Sequence, residues 1–172
     1  MEPTFLKPEV TITIPGAQDT VFVPAKEISD YPGIQAFSQD QFDKLRISKD
    51  SFYHRAAVAA GRVLDSIEPK IVKDENDKVK YAAIHLTRPI ASGLVIAPNF
   101  QQKFKNLFGE NILVIIPERH TLFVFPDNQD LYSAYLLPMA ARFEDAVYAC
   151  SRELFLWKKG AKKPVVIGRF DR

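Results

Sequence analysis

Two apolar runs separated by a short polar break form the strongest pattern in the chain. Residues 112–117 read ILVIIP and residues 121–126 read TLFVFP. Short continuous apolar runs bounded by polar residues are typical of strands that are buried on both faces. We therefore predict a central β-hairpin whose tip carries Glu118, Arg119 and His120.

Two further segments carry apolar residues at helical spacing. The longer one follows Ser48 or Asp50, either of which can cap a helix, and it ends at Pro69. The shorter one lies between Asn99, which we expect to be its cap, and Gly109, which is suited to terminate it. Each segment predicts an amphipathic helix beside the strands.

A third helix is predicted over residues 129–149, with Asp127 or Asn128 as its cap. Pro138 lies inside this segment and predicts a kink or a split into two pieces. The same apolar pattern places Cys150 in a helix.

Prolines interrupt residues 1–48 and predict an extended arm with short strands, because they forbid a long helix and remove backbone donors. Within this arm an alternating run at residues 10–14 and a β-rich run at residues 20–23 predict a small hairpin. The interrupting residues are Pro3, Pro8, Pro15, Pro24 and Pro32.

Two more pairs of β-rich runs complete the pattern. Residues 70–86 surround a turn at residues 74–77, and residues 153–158 precede a final run at residues 164–170. The order of elements predicts an α+β fold, with a mostly antiparallel sheet built from hairpins and three helices packed on it. We expect residues 49–172 to form this single domain behind the N-terminal arm.

Composition narrows the class of protein. The 172 residues include 23 basic and 21 acidic side chains, a net charge of +2 that gives no sign of a dedicated nucleic-acid binder. The single cysteine favours a reducing compartment. No signal peptide pattern and no long apolar run occur, so we expect a cytoplasmic protein with no membrane partner.

Motifs for metals and nucleotide cofactors do not occur in the sequence. His54, His85 and His120 are not spaced as paired ligands, and there is no CxxC motif. Neither GxxxxGK[ST] nor GxGxxG is present, and no GxSxG elbow marks a nucleophilic serine. We therefore predict no metal and no cofactor.

The tip of the central hairpin is the first candidate site. Glu118, His120 and the later Asp127 supply acid and base groups, and Arg119 could hold an anion. These residues would suit a hydrolase. Successive residues of a tight turn point in different directions, however, so a polar turn with a structural role, or a binding role for Arg119, is the favoured interpretation.

A local basic cluster is the second candidate. Lys158, Lys159, Lys162 and Lys163 surround Gly160. Such a loop could contact phosphates and bind nucleic acid weakly. Lysines also protect sheet edges from association, and this structural role is the favoured interpretation.

The last 75 or so residues resemble a bacterial family of domains of unknown function, the YtpQ-like proteins. The similarity rests on the helix that ends at Gly109, the pattern Pro117-x-Arg119-x-x-Leu122, a long helix, and the motif at residues 151–155 before a final strand. The resemblance implies a bacterial cytoplasmic protein and supports the predicted hairpin, but it implies no activity.

These observations favour a non-catalytic module that binds a protein partner or associates with itself. Abundant aromatic residues, a charge near zero and the lack of a coherent catalytic set support this hypothesis. The two alternatives are a hydrolase that uses the hairpin tip and weak nucleic-acid binding through the lysine loop.

Overall fold

The computed structural model describes residues 1–28 and 33–170. Within these residues a six-stranded antiparallel sheet forms the centre of the molecule, with strand order β10-β9-β7-β8-β6-β5. Two small two-stranded sheets, β1-β2 and β3-β4, lie outside it. The strands are β1 (Glu2–Pro3), β2 (Thr20–Val21), β3 (Ala25–Glu27), β4 (Ile34–Ala36), β5 (Lys70–Lys73), β6 (Val79–His85), β7 (Ile112–Glu118), β8 (Thr121–Pro126), β9 (Glu153–Trp157) and β10 (Val165–Arg169).

Three helices of at least seven residues pack on this sheet, so the predicted α+β fold is confirmed. Ser48 caps the longer N-terminal helix by accepting a hydrogen bond from the Ser51 amide, and Asn128 caps the last helix. Short 3₁₀ helices cover Thr4–Leu6 and Ala91–Ile96. The α-helices are α1 (Gln39–Asp43), α2 (Lys49–Asp65), α3 (Phe100–Phe108) and α4 (Gln129–Asp145).

The central strands are buried on both faces, which explains their continuous apolar runs. On one face Ile112 and Val114 join a core with α2, α3 and the Ala91–Ile96 helix. On the other face Leu113 and Ile115 pack with Met139 and other residues of α4. The predicted hairpin of β7 and β8 is confirmed, with Val114 paired to Val124.

Three local predictions are wrong. Asn99 occupies the N-cap position of α3, but its side chain does not make the predicted capping hydrogen bond; the side-chain amide donates instead to Asp65 and to the Gly61 carbonyl. The predicted alternative that α4 splits at Pro138 is wrong, since one helix runs through this residue. Cys150 is not helical, because its amide donates to the Pro117 carbonyl and so joins the chain to β7.

The N-terminal residues pack against the rest of the chain. Met1 and Phe22 belong to the same core as α2 and α3. The Pro15 carbonyl accepts a hydrogen bond from the Val166 amide. At Gly16, where φ is +80°, a Cβ would lie 2.6 Å from the Val166 carbonyl oxygen, so only glycine fits this close approach.

The hairpin expected within the N-terminal residues is reduced to one bridge, between Ile12 and Phe22. Strand β2 pairs instead with β1, which contains Glu2. In the part of the chain that is described, no helix combines the length and the apolar character needed to cross a bilayer.

Candidate functional site

The hairpin tip is a two-residue turn of Arg119 and His120, since Glu118 pairs directly with Thr121. The side chains of the turn and its flanks contact different parts of the molecule. Whether the tip can form a catalytic site depends on whether these side chains face a common point.

Glu118 faces α4. One of its carboxylate oxygens accepts hydrogen bonds from Nε and Nη2 of Arg142, at 2.8 and 2.5 Å, and from the Thr121 hydroxyl at 3.0 Å. The Thr121 oxygen lies 2.8 Å from Nδ1 of His85. Because the hydroxyl proton is given to Glu118, His85 donates to Thr121 and carries its proton on Nδ1.

The environment of Glu118 lowers its pKa. Partial burial alone would raise the pKa, but the hydrogen bonds from Arg142 and Thr121 outweigh that effect. The carboxylate form is therefore favoured by the folded state. The network connects β6, β7, β8 and α4, and it includes residues that are far apart in the sequence.

Replacing Glu118 with Gln should lower the free energy of unfolding by about 1 kcal/mol at neutral pH, since the charged partner of Arg142 is lost. Because the folded pKa lies below the unfolded pKa, the carboxylate stabilises the fold above the unfolded value and loses that effect as pH falls through the folded value. Urea denaturation of wild type and E118Q should show a difference at pH 7 that closes toward pH 3.5. A constant difference across this range would contradict the assignment.

Arg119 points toward the N-terminus of the chain. Its guanidinium forms an ion pair with Glu2 of β1, and their side chains are 18% and 9% exposed. The same guanidinium lies 5.4 Å from the ring centroid of Tyr148. Arg119 is therefore a partly buried link between the hairpin and β1.

His120 contacts a third part of the molecule. Its Nδ1 donates to the Leu86 carbonyl at 3.0 Å, and its ring centroid lies 6.4 Å from that of His85. Asp127 lies beyond the far end of β8, exposed and bonded to Asn111. At about 3.3 Å per residue this places Asp127 roughly 20 Å from the tip. The candidate acid and base groups do not converge on a common point.

The four lysines lie on the turn between β9 and β10, where all four are exposed. Lys163 is held over the ring of Tyr53, with its Nζ 4.4 Å from the centroid. The turn is fixed by Gly160 in a left-handed conformation and by a bond from the Lys159 amide to Asn111. These contacts give the turn a defined structure at the edge of the sheet.

Among the described residues no cluster of His, Cys, Asp or Glu could hold a metal ion.

A large apolar cleft lies elsewhere, between the N-terminal residues, α2 and the Ala91–Ile96 helix. Its volume is about 810 Å³. Small residues on α2 leave this space open, since the helix presents alanines where larger side chains would fill it. The apolar wall includes Ile12, Phe22, Val23, Pro24, Phe37, Phe52, Ala56, Ala59, Ala60, Val63 and Leu94.

No family model, curated protein or solved structure matches the chain. The resemblance to the YtpQ-like proteins therefore stays a prediction.

Few polar groups border the cleft. Tyr53 packs on Phe22, and burial raises the pKa of its hydroxyl to about 12, so the group is neutral at physiological pH. The Glu2–Arg119 pair closes one part of the wall, and Glu27 is paired with Arg88 at 2.9 Å. Arg119 is the one predicted binding residue that borders the cleft.

Sequence reasoning missed the cleft because its wall comes from three separate segments. The alanine-rich face of α2 is a partial signal in the sequence, because small side chains permit close approach of another element. Nothing in the local pattern indicates that the N-terminal residues would complete the other side.

Proposed function

We propose that the protein is a non-catalytic binding module and that the apolar cleft is its binding site. The observation that supports this proposal is the cleft of about 810 Å³ with a mainly apolar wall. Small-molecule sites in proteins have volumes of about 300–1,000 Å³ and walls of this character. The ligand class is therefore a small molecule with a large apolar part.

This proposal keeps the expected absence of catalysis, but it replaces the expected protein partner or self-association with a small-molecule ligand. Protein interfaces are broad patches, whereas this site is a concave space of small-molecule size. The hairpin tip supports a hydrolase less well, because Glu118, Arg119 and His120 each contact a different element. The lysine loop supports nucleic-acid binding less well than it supports a sheet-edge role.

A neutral fluorescent probe tests the proposal. N-phenyl-1-naphthylamine should bind saturably with one site per chain and fluoresce more strongly, since it would leave water for an apolar wall. Ala59→Trp, which adds a large ring at an exposed lining position of α2, should weaken binding by about tenfold or more. Titrations followed by fluorescence measure both dissociation constants.

Ala134→Trp is the matched control. Ala134 is exposed on α4 and does not border the cleft, so this variant should bind the probe as wild type does. Equal weakening by both tryptophans, or no saturable binding by the wild type, would contradict the proposal.

A further inference from the structure

Some of the charged side chains that border the cleft form ion pairs, and others do not. Glu2 is paired with Arg119, and Glu27 is paired with Arg88. Lys26 and Arg55 also border the cleft, and both are exposed. Neither has an ion-pair partner among the described residues. Within residues 1–28 and 33–170, both acids that border the cleft are therefore ion-paired, whereas Lys26 and Arg55 are not.

From this imbalance we infer that the ligand is a single-chain amphiphile with a carboxylate head, such as a medium- or long-chain fatty acid. This inference rests on the proposed function of the cleft. The apolar chain lies along the wall of the cleft, and the carboxylate lies beside Arg55, with Lys26 as a second cation on the border of the cleft. A cationic head would meet two uncompensated positive charges and is disfavoured.

The position of Arg55 on α2 suits this role. Arg55 lies four residues before Ala59, so the two side chains share one face of the helix and the guanidinium stands one turn from the alanine wall. A guanidinium offers a planar fork of donors that matches the two oxygens of a carboxylate. A ligand seated on the alanines can therefore present its head to Arg55.

The two parts of the ligand contribute differently. Ion pairs at exposed positions are weak, so Arg55 and Lys26 would select the head while the chain supplies most of the affinity. Each methylene buried in an apolar site should tighten binding by about fourfold. The affinity of a series of carboxylates should therefore rise steeply with chain length until the cleft is filled.

Displacement of N-phenyl-1-naphthylamine by octanoate, decanoate and dodecanoate tests the inference, with octanol, decanol and dodecanol as uncharged counterparts below their aggregation limits. In the wild type we expect about fourfold tighter binding per methylene in both series. We also expect each carboxylate to bind several-fold more tightly than its alcohol. Arg55→Gln should remove most of this preference, measured as the ratio between the dissociation constants of each carboxylate and its alcohol.

Arg62→Gln is the matched control, because Arg62 is exposed on the same helix and does not border the cleft. It should keep the preference for carboxylates. If carboxylates and alcohols bind the wild type equally, or if R62Q and R55Q act alike, the carboxylate inference is overturned while the cleft remains a binding site for the probe. If the probe does not bind the wild type, both the inference and the proposed function are overturned.

Discussion

Trp157→Ala should lower the free energy of unfolding by about 3–5 kcal/mol, the range for losing a large aromatic side chain from a core. Trp157 is 1% exposed, and its ring stacks on Phe100 with centroids 6.3 Å apart. Its indole N–H also donates to the Val95 carbonyl at 3.0 Å. The substitution would leave a cavity between β9 and the Ala91–Ile96 helix, which forms one wall of the cleft. Urea denaturation measures the change.

Trp157→Phe separates packing from hydrogen bonding. Phenylalanine keeps most of the contact with Phe100 but leaves the buried Val95 carbonyl without its donor, so we expect an intermediate loss of about 1–3 kcal/mol. A loss below about 1 kcal/mol for W157A would mean that the side chain is not packed between β9 and this 3₁₀ helix.

Arg119→Met should lower the free energy of unfolding by about 3 kcal/mol. The substitution removes the charged partner of Glu2, whose side chain is only 9% exposed, and leaves a carboxylate in a poorly solvated position. It also removes the contact between the guanidinium and Tyr148. Chemical denaturation at neutral pH measures the effect.

Two further variants show whether the ion pair is the cause. Arg88→Met breaks the exposed pair with Glu27, where both side chains are nearly half exposed, and should cost less than about 1 kcal/mol. The double variant Glu2→Gln with Arg119→Met should be more stable than R119M alone, because it removes the stranded charge. Equal costs for R119M and R88M would contradict the buried linkage.

The sheet and helices were predictable because their signals are local. Residues 112–116 form a continuous apolar run, and such a run is required where both faces of a strand are covered. The long helix followed from the spacing after Ser48, whose side chain caps it as expected. These patterns depend on neighbours within a few positions, so the sequence alone carries them.

The site could not be predicted in the same way, because long-range contacts decide it. Arg119 pairs with a residue 117 positions away, and Thr121 meets a histidine 36 positions away. The surrounding sequence also favours a helix at Cys150, but the hydrogen bond from its amide to the Pro117 carbonyl of β7 holds the residue outside any helix. The spacing of apolar residues along the sequence carries no information about this tertiary contact.

The central claim is that an apolar ligand occupies the cleft, and a titration of ¹⁵N-labelled protein with N-phenyl-1-naphthylamine tests it most directly. In amide correlation spectra we expect the largest shifts at residues that border the cleft, such as Val23, Ala59 and Gly93. Shifts confined to the lysine turn at residues 158–163 or to the hairpin tip at residues 118–121, with the cleft amides unmoved, would contradict it.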